Sequence, residues 1–332
     1  MAAASSRGLA LISVLWITGL LAVMAASFAS STRTEARLAR NQEENAKAEA
    51  LADAGVHRAA FGLLDLDPET AWRAGGTAHG FALGEGEVQV QIEDEDGKID
   101  LNGAPLELLA GLFLALGLPE PEAQTMADRI GDFRDPDDQP EPLGAEDPAY
   151  LDAGLARGAA DRAFGAESEL LHVLGMTPEL YARVRSNVTV HSGADGVDPT
   201  RAPLPVLQAL PGMTPDLLEA MLAAMAAPDP LLALEGEQLP TDLEAYLLPS
   251  REVVYTVKAL GRTTGGGNFL REAVVELGAS QDRAFLVHAW RRASMPADPD
   301  DHRRDRPLDR QPPTENAPAR LQPARSSRTA FG

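Results

Sequence analysis

A run of carboxylates between residues 134 and 148 is the stretch of this sequence whose residue types are best suited to chemistry. Its acidic members are Asp135, Asp137, Asp138, Glu141, Glu146 and Asp147. Prolines at positions 136, 140, 142 and 148 deny it a regular period, so we expect a loop. Ca²⁺ takes about six to eight oxygen ligands from flexible loops. The sequence therefore predicts a calcium site with ligands Asp135, Asp137, Asp138 and Glu146; the alternative is a solvated acidic surface.

A second acidic stretch, Asp94-Glu95-Asp96-Gly97-Lys98-Ile99, resembles part of an EF-hand loop. If Gly97 took the sixth place of that loop, the first and twelfth places would fall on Ile92 and Gly103. Neither residue can donate a carboxylate, so the main calcium ligands are missing. We interpret this stretch as a turn that leads into a helical region.

Catalytic motifs are absent from the sequence, which contains no nucleophile elbow, Walker loop or zinc motif. Ser168 and His172 are one helical turn apart, but Glu169 lies on another face and cannot orient the pair. The histidines show no metal-ligand spacing; they are His57, His79, His172, His191, His288 and His302. We predict that the protein is not an enzyme and keep an extracytoplasmic hydrolase as a less favoured alternative.

Two similar segments, LGMTPEL at 174–180 and PGMTPDL at 211–217, predict helix–turn–helix units. Such units resemble helix-hairpin-helix modules, which present backbone N–H groups to nucleic-acid phosphates. Only Arg183 and Arg185 flank the first unit, and the whole chain has a net charge of -21, which repels phosphates. We therefore expect structural or protein-binding use and no nucleic acid, with a membrane-anchored nucleic-acid receptor as the alternative function.

All of these groups lie downstream of an N-terminal segment, predicted to be a helix, that has no charge from Leu9 to Ala29. That length crosses a bilayer core of roughly 30 Å. Three interpretations compete: a signal peptide cut near Ala25–Ser27, a plain signal anchor, and a prepilin leader cut between Gly8 and Leu9. Arg7-Gly8 directly before an uninterrupted apolar run favours the prepilin leader, in which the helix is kept and the body lies outside the cytoplasm.

The helix is predicted to continue to about Leu66, with an inward apolar face that includes Ala48, Ala52 and Val56. Alternating residues predict a strand at 87–93 and late strands at 253–260, 269–277 and 283–290. Glycine-rich hairpin turns at 265–268 and 278–282 join the late strands. The early strand should pair with the late ones across a helical insertion, which contains a weak repeat between Asp100–Leu106 and Asp198–Leu204.

These elements predict six segments in chain order. They are a prepilin leader at 1–8, a transmembrane segment at 9–30, the helix continuation and first strand at 31–100, an inserted α-helical domain at 101–246, the remaining strands at 247–292, and a tail at 293–332. The tail is rich in Pro, Arg and Asp with few apolar residues, so we expect it to be disordered.

Five motifs in this order make the chain resemble the minor pseudopilin K family of the type II secretion system. They are Arg7–Leu11, Ala50–Val56, Asp94–Asn102, Asp135–Asp138 and Leu174–Tyr181. The resemblance runs from about Arg7 to Trp290. It implies an α+β pilin-like fold, in which a long N-terminal helix packs on an antiparallel sheet that carries a large helical insertion. Related pseudopilins bind calcium in that insertion.

The resemblance also implies a place and partners. The protein would be a single-pass inner-membrane protein with its body in the periplasm, cut by prepilin peptidase before a methylated Leu9. It would sit at the tip of a pseudopilus with other minor pseudopilins and help to start its assembly for protein export. We expect the Arg33–Leu66 half of the helix to bind those partners through a face containing Ala48 and Ala52.

Ser13 marks the tip position in this interpretation. Most pilin-like proteins carry Glu at the fifth mature position, where it meets the N-terminal amine of a neighbouring subunit; counting from Leu9, that position here is Ser13. A subunit with no neighbour above it would leave such a carboxylate buried without a partner, which is costly. The alternative is that Ser13 is merely tolerated in a signal anchor.

Overall fold

One long helix, α1 (Ser6–Leu63), contains the apolar N-terminal segment and continues into the body of the protein. The computed structural model describes residues 6–75, 78–227, 233, 239–280 and 283–294, with side chains from residue 13 onward except at 279–280. At about 1.5 Å per residue, the 58 residues of α1 extend about 87 Å. Within the described chain it is the one helix long and apolar enough to cross a membrane. It ends three residues before the predicted Leu66.

The second half of α1 packs on the sheet along a face of small residues. Ala48, Ala52 and Val56 are fully buried there, as the predicted inward face requires. The sheet comes so close that a Cβ at Gly261 would overlap the Ala48 carbonyl oxygen and lie 2.7 Å from the Ala52 nitrogen. The expected partner surface at Ala48 and Ala52 is therefore wrong, because the protein's own sheet occupies that face.

The sheet has five antiparallel strands in the order β1-β2-β5-β6-β7. Its strands are β1 (His79–Leu83), β2 (Gly86–Asp94), β5 (Val254–Thr263), β6 (Asn268–Ser280) and β7 (Arg283–Arg292). The early β2 pairs directly with the late β5, from Gly86 opposite Thr263 to Asp94 opposite Tyr255, which confirms the predicted pairing across the insertion. The edge strand β1 was not predicted, because HGFAL is short and contains glycine.

The insertion between β2 and β5 is mainly helical. It contains α2 (Leu106–Ala115), α3 (Glu120–Arg134), α4 (Asp147–Asp152), α5 (Pro178–Val184), α6 (Leu204–Ala209), α7 (Pro215–Met225) and α8 (Thr241–Glu244), with a 3₁₀ helix at Glu167–His172. Two short strands, β3 (Ile99–Asp100) and β4 (Val188–Thr189), form a separate parallel pair. The core of the insertion is a cluster of buried side chains that includes Phe113, Ile130 and Tyr150. Whether residues 101–246 form a separate domain with these limits remains a prediction.

The weak sequence repeat corresponds to a repeated local structure. The Asp100 and Asp198 carboxylates each accept a hydrogen bond from the backbone N–H two residues later, at 2.7 Å in both cases. The backbone oxygen of each aspartate accepts from Ala104 or Ala202, at 2.9 Å in both cases. Each turn then delivers the chain through a proline into α2 or α6, and the two helices pack together.

The predicted tail from residue 293 lies almost entirely outside the described residues, as does the leader before Ser6. Asp282 and Gln281 of the second predicted hairpin turn also lie outside them, whereas the first turn joins β5 to β6 as predicted.

Candidate functional site

The acidic loop folds around the C-terminal end of α3. Asp132, which is fully buried in that helix, accepts hydrogen bonds from the backbone N–H groups of Glu141 (2.9 Å) and Ala145 (2.5 Å). Asp128, one turn earlier, accepts from the N–H of Leu143 at 3.0 Å. No helix or strand forms between α3 and α4, as the prolines predicted. The loop is therefore irregular in backbone but fixed in place by two buried aspartates.

The four predicted calcium ligands divide into two pairs. Asp135 and Glu146 carry one side-chain oxygen each, Oδ1 and Oε1, that is buried without a hydrogen-bond partner. Asp137 and Asp138 are exposed, and the Asp137 carboxylate caps the backbone N–H of Gln139 at 2.9 Å. The inward pair thus offers free oxygens beneath the loop, while the outward pair lies at its surface.

Burial and neighbouring carboxylates make the interior of the loop favour a cation or a proton. Burial raises the pKa of Glu146 to about 7, and the Asp132, Asp135 and Asp161 carboxylates add to the effect. The pKa of Asp135 is also raised, by burial first and then by Asp137 and Asp132. For Asp161, burial and then Asp147 and Asp138 raise the pKa. These seven close acids thus share one strongly negative region.

Sequence reasoning missed Asp132 and Asp161 as members of this region. Asp132 falls within the helical pattern of α3, so its period marked it as part of a helix rather than a site. Asp161 has a left-handed backbone (φ 50°) in a Gly- and Ala-rich stretch without any period. Only the folded chain brings it opposite the loop.

The donor atoms fit calcium in kind, because they are carboxylate oxygens and two are orphaned. Within the described chain, however, no three Asp, Glu or His side chains are already arranged to hold one metal ion. Binding would therefore require the exposed Asp137 and Asp138 side chains to turn toward Asp135 and Glu146. Calcium remains a prediction.

The EF-hand-like stretch is a turn into the insertion, in agreement with the prediction. Asp94 Oδ2 accepts a hydrogen bond from Ser250 Oγ at 2.6 Å, and Asp96 accepts from the Arg251 backbone at 2.7 Å and its guanidinium at 2.8 Å. Asp198 accepts from the Ser250 backbone at 3.0 Å. The carboxylates tie the chain leaving the sheet to the chain returning to it, so their oxygens are already used.

A buried ion pair lies beside this turn. Lys98 Nζ is 2.6 Å from Glu95 Oε1, which also accepts from Thr256 Oγ1 of β5 at 2.6 Å. Burial alone would raise the pKa of Glu95, but the Lys98 ammonium lowers it below its usual value. Burial alone would lower the pKa of Lys98, but Glu95 and Glu93 raise it. The pair links the insertion to the sheet.

The two Gly-Met-Thr-Pro units are tight turns, although the first is entered by a 3₁₀ helix rather than the predicted α-helix. Gly175 and Gly212 adopt positive φ (90° and 78°), and Thr177 and Thr214 cap the following helices. In the first unit the backbone of Leu174 donates to Tyr150 Oη at 3.1 Å and accepts from Arg129 at 2.9 Å. These backbone groups are used within the insertion, which favours a structural role over phosphate binding.

The N-terminal marker residues lie in the first turns of α1. The backbone of Gly8 and Leu9 is helical, and Ser13 lies on the exposed surface of α1. Nothing in the structure tests the cleavage or the role of Ser13, so both remain predictions.

The structure also brings together two histidines that are far apart in the sequence: the rings of His191 and His288 are 5.1 Å apart, and His288 Nε2 is 2.7 Å from Glu276 Oε2.

Comparisons with known proteins agree on one family. Residues 90–193 match the family described as type II secretion system (T2SS), protein K. The type II secretion system protein K of Pseudomonas aeruginosa is 32% identical over 149 residues, which cover 41% of this chain and 44% of that protein. The chain thus spans less than half the length of this relative.

A solved structure shows the same fold. A chain in the crystal structure of the GspK-GspI-GspJ complex from the enterotoxigenic Escherichia coli type 2 secretion system matches with a TM-score of 0.56 and 19% identity. The match covers 80% of this chain and 99% of that one, and it confirms the predicted α+β fold with a long helix on an antiparallel sheet. Family match, relative and structure agree, so the predicted resemblance to the protein K family of the type II secretion system is confirmed.

Proposed function

We propose that this chain is a non-enzymatic minor pseudopilin of the type II secretion system, which sits at the tip of the pseudopilus and helps to start its assembly for protein export. The observation that carries the proposal is the agreement between the family match at residues 90–193 and the helix-on-sheet fold with its helical insertion. An exposed apolar helix in front of that fold supports a single-pass inner-membrane anchor with a periplasmic body.

Maturation is part of the proposal. Prepilin peptidase cuts between Gly8 and Leu9, and the new Leu9 amine is methylated. The support is the position of Gly8 directly before an uncharged run that stays helical into the body. We expect the mature protein to begin at methylated Leu9 when its N-terminus is analysed by mass spectrometry. A mature chain beginning near Ser27 would instead indicate an ordinary signal peptide.

Other minor pseudopilins are the proposed partners, since the structural neighbour is a GspK-GspI-GspJ complex of a type 2 secretion system. With Ala48 and Ala52 covered by the sheet, one exposed stripe of α1 that remains for partners is formed by Ala46, Ala50, His57 and Phe61. Phe61 is 63% exposed, and the small Ala46 and Ala50 permit close helix approach.

We expect Phe61→Glu to abolish co-purification of minor pseudopilins with the full-length protein, because it places a charge in an apolar helix contact. The matched control is Leu151→Glu, since Leu151 is 61% exposed but lies on α4 of the insertion. Equal recovery of partners by both variants would remove this stripe as the interface. Failure of the parent protein to recover any minor pseudopilin would contradict the proposed function itself.

Calcium in the acidic loop is the remaining proposal, supported by the free oxygens of Asp135 and Glu146 and the raised pKa of Glu146. Asp135, Asp137, Asp138 and Glu146 would hold the ion. It would neutralise the repulsion among these carboxylates and fix the loop to the end of α3.

A further inference from the structure

A stripe of arginines follows the apolar part of α1. Arg33, Arg37 and Arg40 are spaced by four and three residues, which places them within about 60° of one another around the helix. All three side chains are exposed. The acid within this segment, Glu35, lies on the opposite side and accepts a hydrogen bond from Ser31.

These three guanidinium groups have no ionic partner among the described residues. Glu44 is one helical turn after Arg40 and could have paired with it. Its carboxylate instead accepts from Thr263 Oγ1 at 2.5 Å and pairs with Lys47 at 3.3 Å. The β5–β6 turn that rests on α1 at Glu44, residues 264–267, contains no charge. In a chain with a net charge of -21, this positive stripe lacks its own counter-charge.

The distance of the stripe from the membrane follows from the helix. The uncharged run ends at Ala29 and α1 continues without a break. Arg33 is therefore about 6 Å and Arg37 about 12 Å beyond it along the axis. The headgroup layer on each side of a bilayer core is roughly 5–8 Å deep. Arginine side chains bend toward that layer, so Arg33 and Arg37 reach it, while Arg40 adds attraction within the screening length of about 10 Å.

We infer that Arg33, Arg37 and Arg40 form a binding stripe for the phosphate groups of anionic lipids at the end of the membrane span nearest the body. The inference rests on the membrane anchor of the proposed function. Guanidinium groups bind phosphate oxygens through paired, charge-assisted hydrogen bonds. The stripe lies on the same side of α1 as Glu44, the side on which the sheet packs. Lipid binding would therefore fix both the depth of the anchor and the direction in which the body leaves the membrane.

The test uses the full-length protein in neutral detergent with equal amounts of phosphatidylglycerol and phosphatidylcholine of the same acyl chains. Native mass spectrometry measures which lipid is retained. Each cation near an anionic surface contributes about fivefold, so the parent should retain phosphatidylglycerol at least about fivefold better. Combined Arg33→Gln, Arg37→Gln and Arg40→Gln should reduce this preference to near unity.

The matched control removes the same charge from exposed positions of the insertion by combining Arg157→Gln, Arg183→Gln and Arg185→Gln. It should keep the preference. Equal retention of both lipids by the parent, or an equal loss in the control, would overturn the inference. A stripe variant that keeps its lipid preference but loses minor pseudopilins would contradict it in favour of an acidic partner helix. Failure of the proposed function is distinguishable, because in that case the parent protein itself recovers no minor pseudopilin while it still prefers phosphatidylglycerol.

Discussion

Lys98→Met should lower the stability of the protein by about 3–5 kcal/mol, because it leaves the Glu95 carboxylate buried without its counter-charge. Glu95 is fully buried and Lys98 is 8% exposed. After the substitution, Glu95 keeps the hydrogen bond from the Thr256 hydroxyl but loses the Lys98 ammonium, whose Nζ lies 2.6 Å from Glu95 Oε1 in the parent. Thermal unfolding of the full-length protein in detergent, followed by near-UV circular dichroism, should show a fall in Tm on the order of 10 °C.

The deficit should depend on pH in a defined direction. Because the pKa of Glu95 is lowered in the folded parent, its ionised form contributes stability above its unfolded pKa, and that contribution is lost as pH falls through the folded value. In the variant, burial raises that pKa instead. The difference between parent and variant should therefore be largest at neutral pH and shrink in acid, where Glu95 becomes protonated in both.

Two variants separate the ion pair from ordinary loss of contacts. Lys258 of β5 forms an ion pair with Glu93 of β2 at 2.6 Å, but its side chain is 29% exposed. Lys258→Met should therefore cost at most about 1 kcal/mol. Adding Glu95→Gln to Lys98→Met should restore most of the loss. If Lys258→Met and Lys98→Met cost the same, or Glu95→Gln restores nothing, the buried charge is not the cause.

Residues such as Lys98 show what the sequence could and could not predict. The long N-terminal helix, β2 and the three late strands were predicted to within a few residues, because a helix or strand period is a local pattern. The Glu95–Lys98 pair was not predicted, since its surroundings come from Thr256, 161 residues away, and from Thr189 of β4. Burial converts an ordinary acidic turn into a costly ion pair, and burial is a property of the folded chain.

The acidic loop also has features that the sequence predicts and features that it does not. Its composition and prolines predicted an irregular, carboxylate-rich segment, and the structure agrees. Composition does not say which carboxylates face inward: Asp135 and Glu146 do, whereas Asp137 and Asp138 do not. The buried Asp132 has the helical period of α3. Its role in holding the loop needs the backbone of Glu141 and Ala145, which fold back onto the helix.

Calcium should reverse the effect of Glu146→Gln on stability. Without the ion, the folded pKa of Glu146, about 7, exceeds the ordinary value of 4.5, so the proton binds the folded state more tightly. The stabilising contribution is full below the unfolded pKa and is lost as pH rises through about 7. At pH 8 the ionised side chain therefore destabilises the folded state. In chelator, Glu146→Gln should therefore raise Tm at pH 8 and change little at pH 5.

In calcium the sign should invert, since the same carboxylate then serves as a ligand. The parent should gain about 2.7 kcal/mol when Ca²⁺ is a hundredfold above its dissociation constant, and Glu146→Gln should lose most of that gain. Mg²⁺ should substitute poorly, because it requires tight octahedral geometry and keeps its waters. Glu141→Gln is the matched control: it removes one charge from the same loop at an exposed side chain, so it should be nearly neutral in both conditions.

Thermal unfolding of the full-length protein in chelator, Ca²⁺ and Mg²⁺ measures both halves of this reversal. A parent Tm that is indifferent to calcium would leave the loop as an acidic surface and remove the metal site. A Glu146→Gln variant that is less stable than the parent even in chelator would contradict the electrostatic argument itself. Reversal of sign is the informative result, because a side chain that only packs would lower stability in both conditions. The sign can reverse only if the Glu146 carboxylate lowers the stability of the folded protein in chelator and raises it when it binds Ca²⁺.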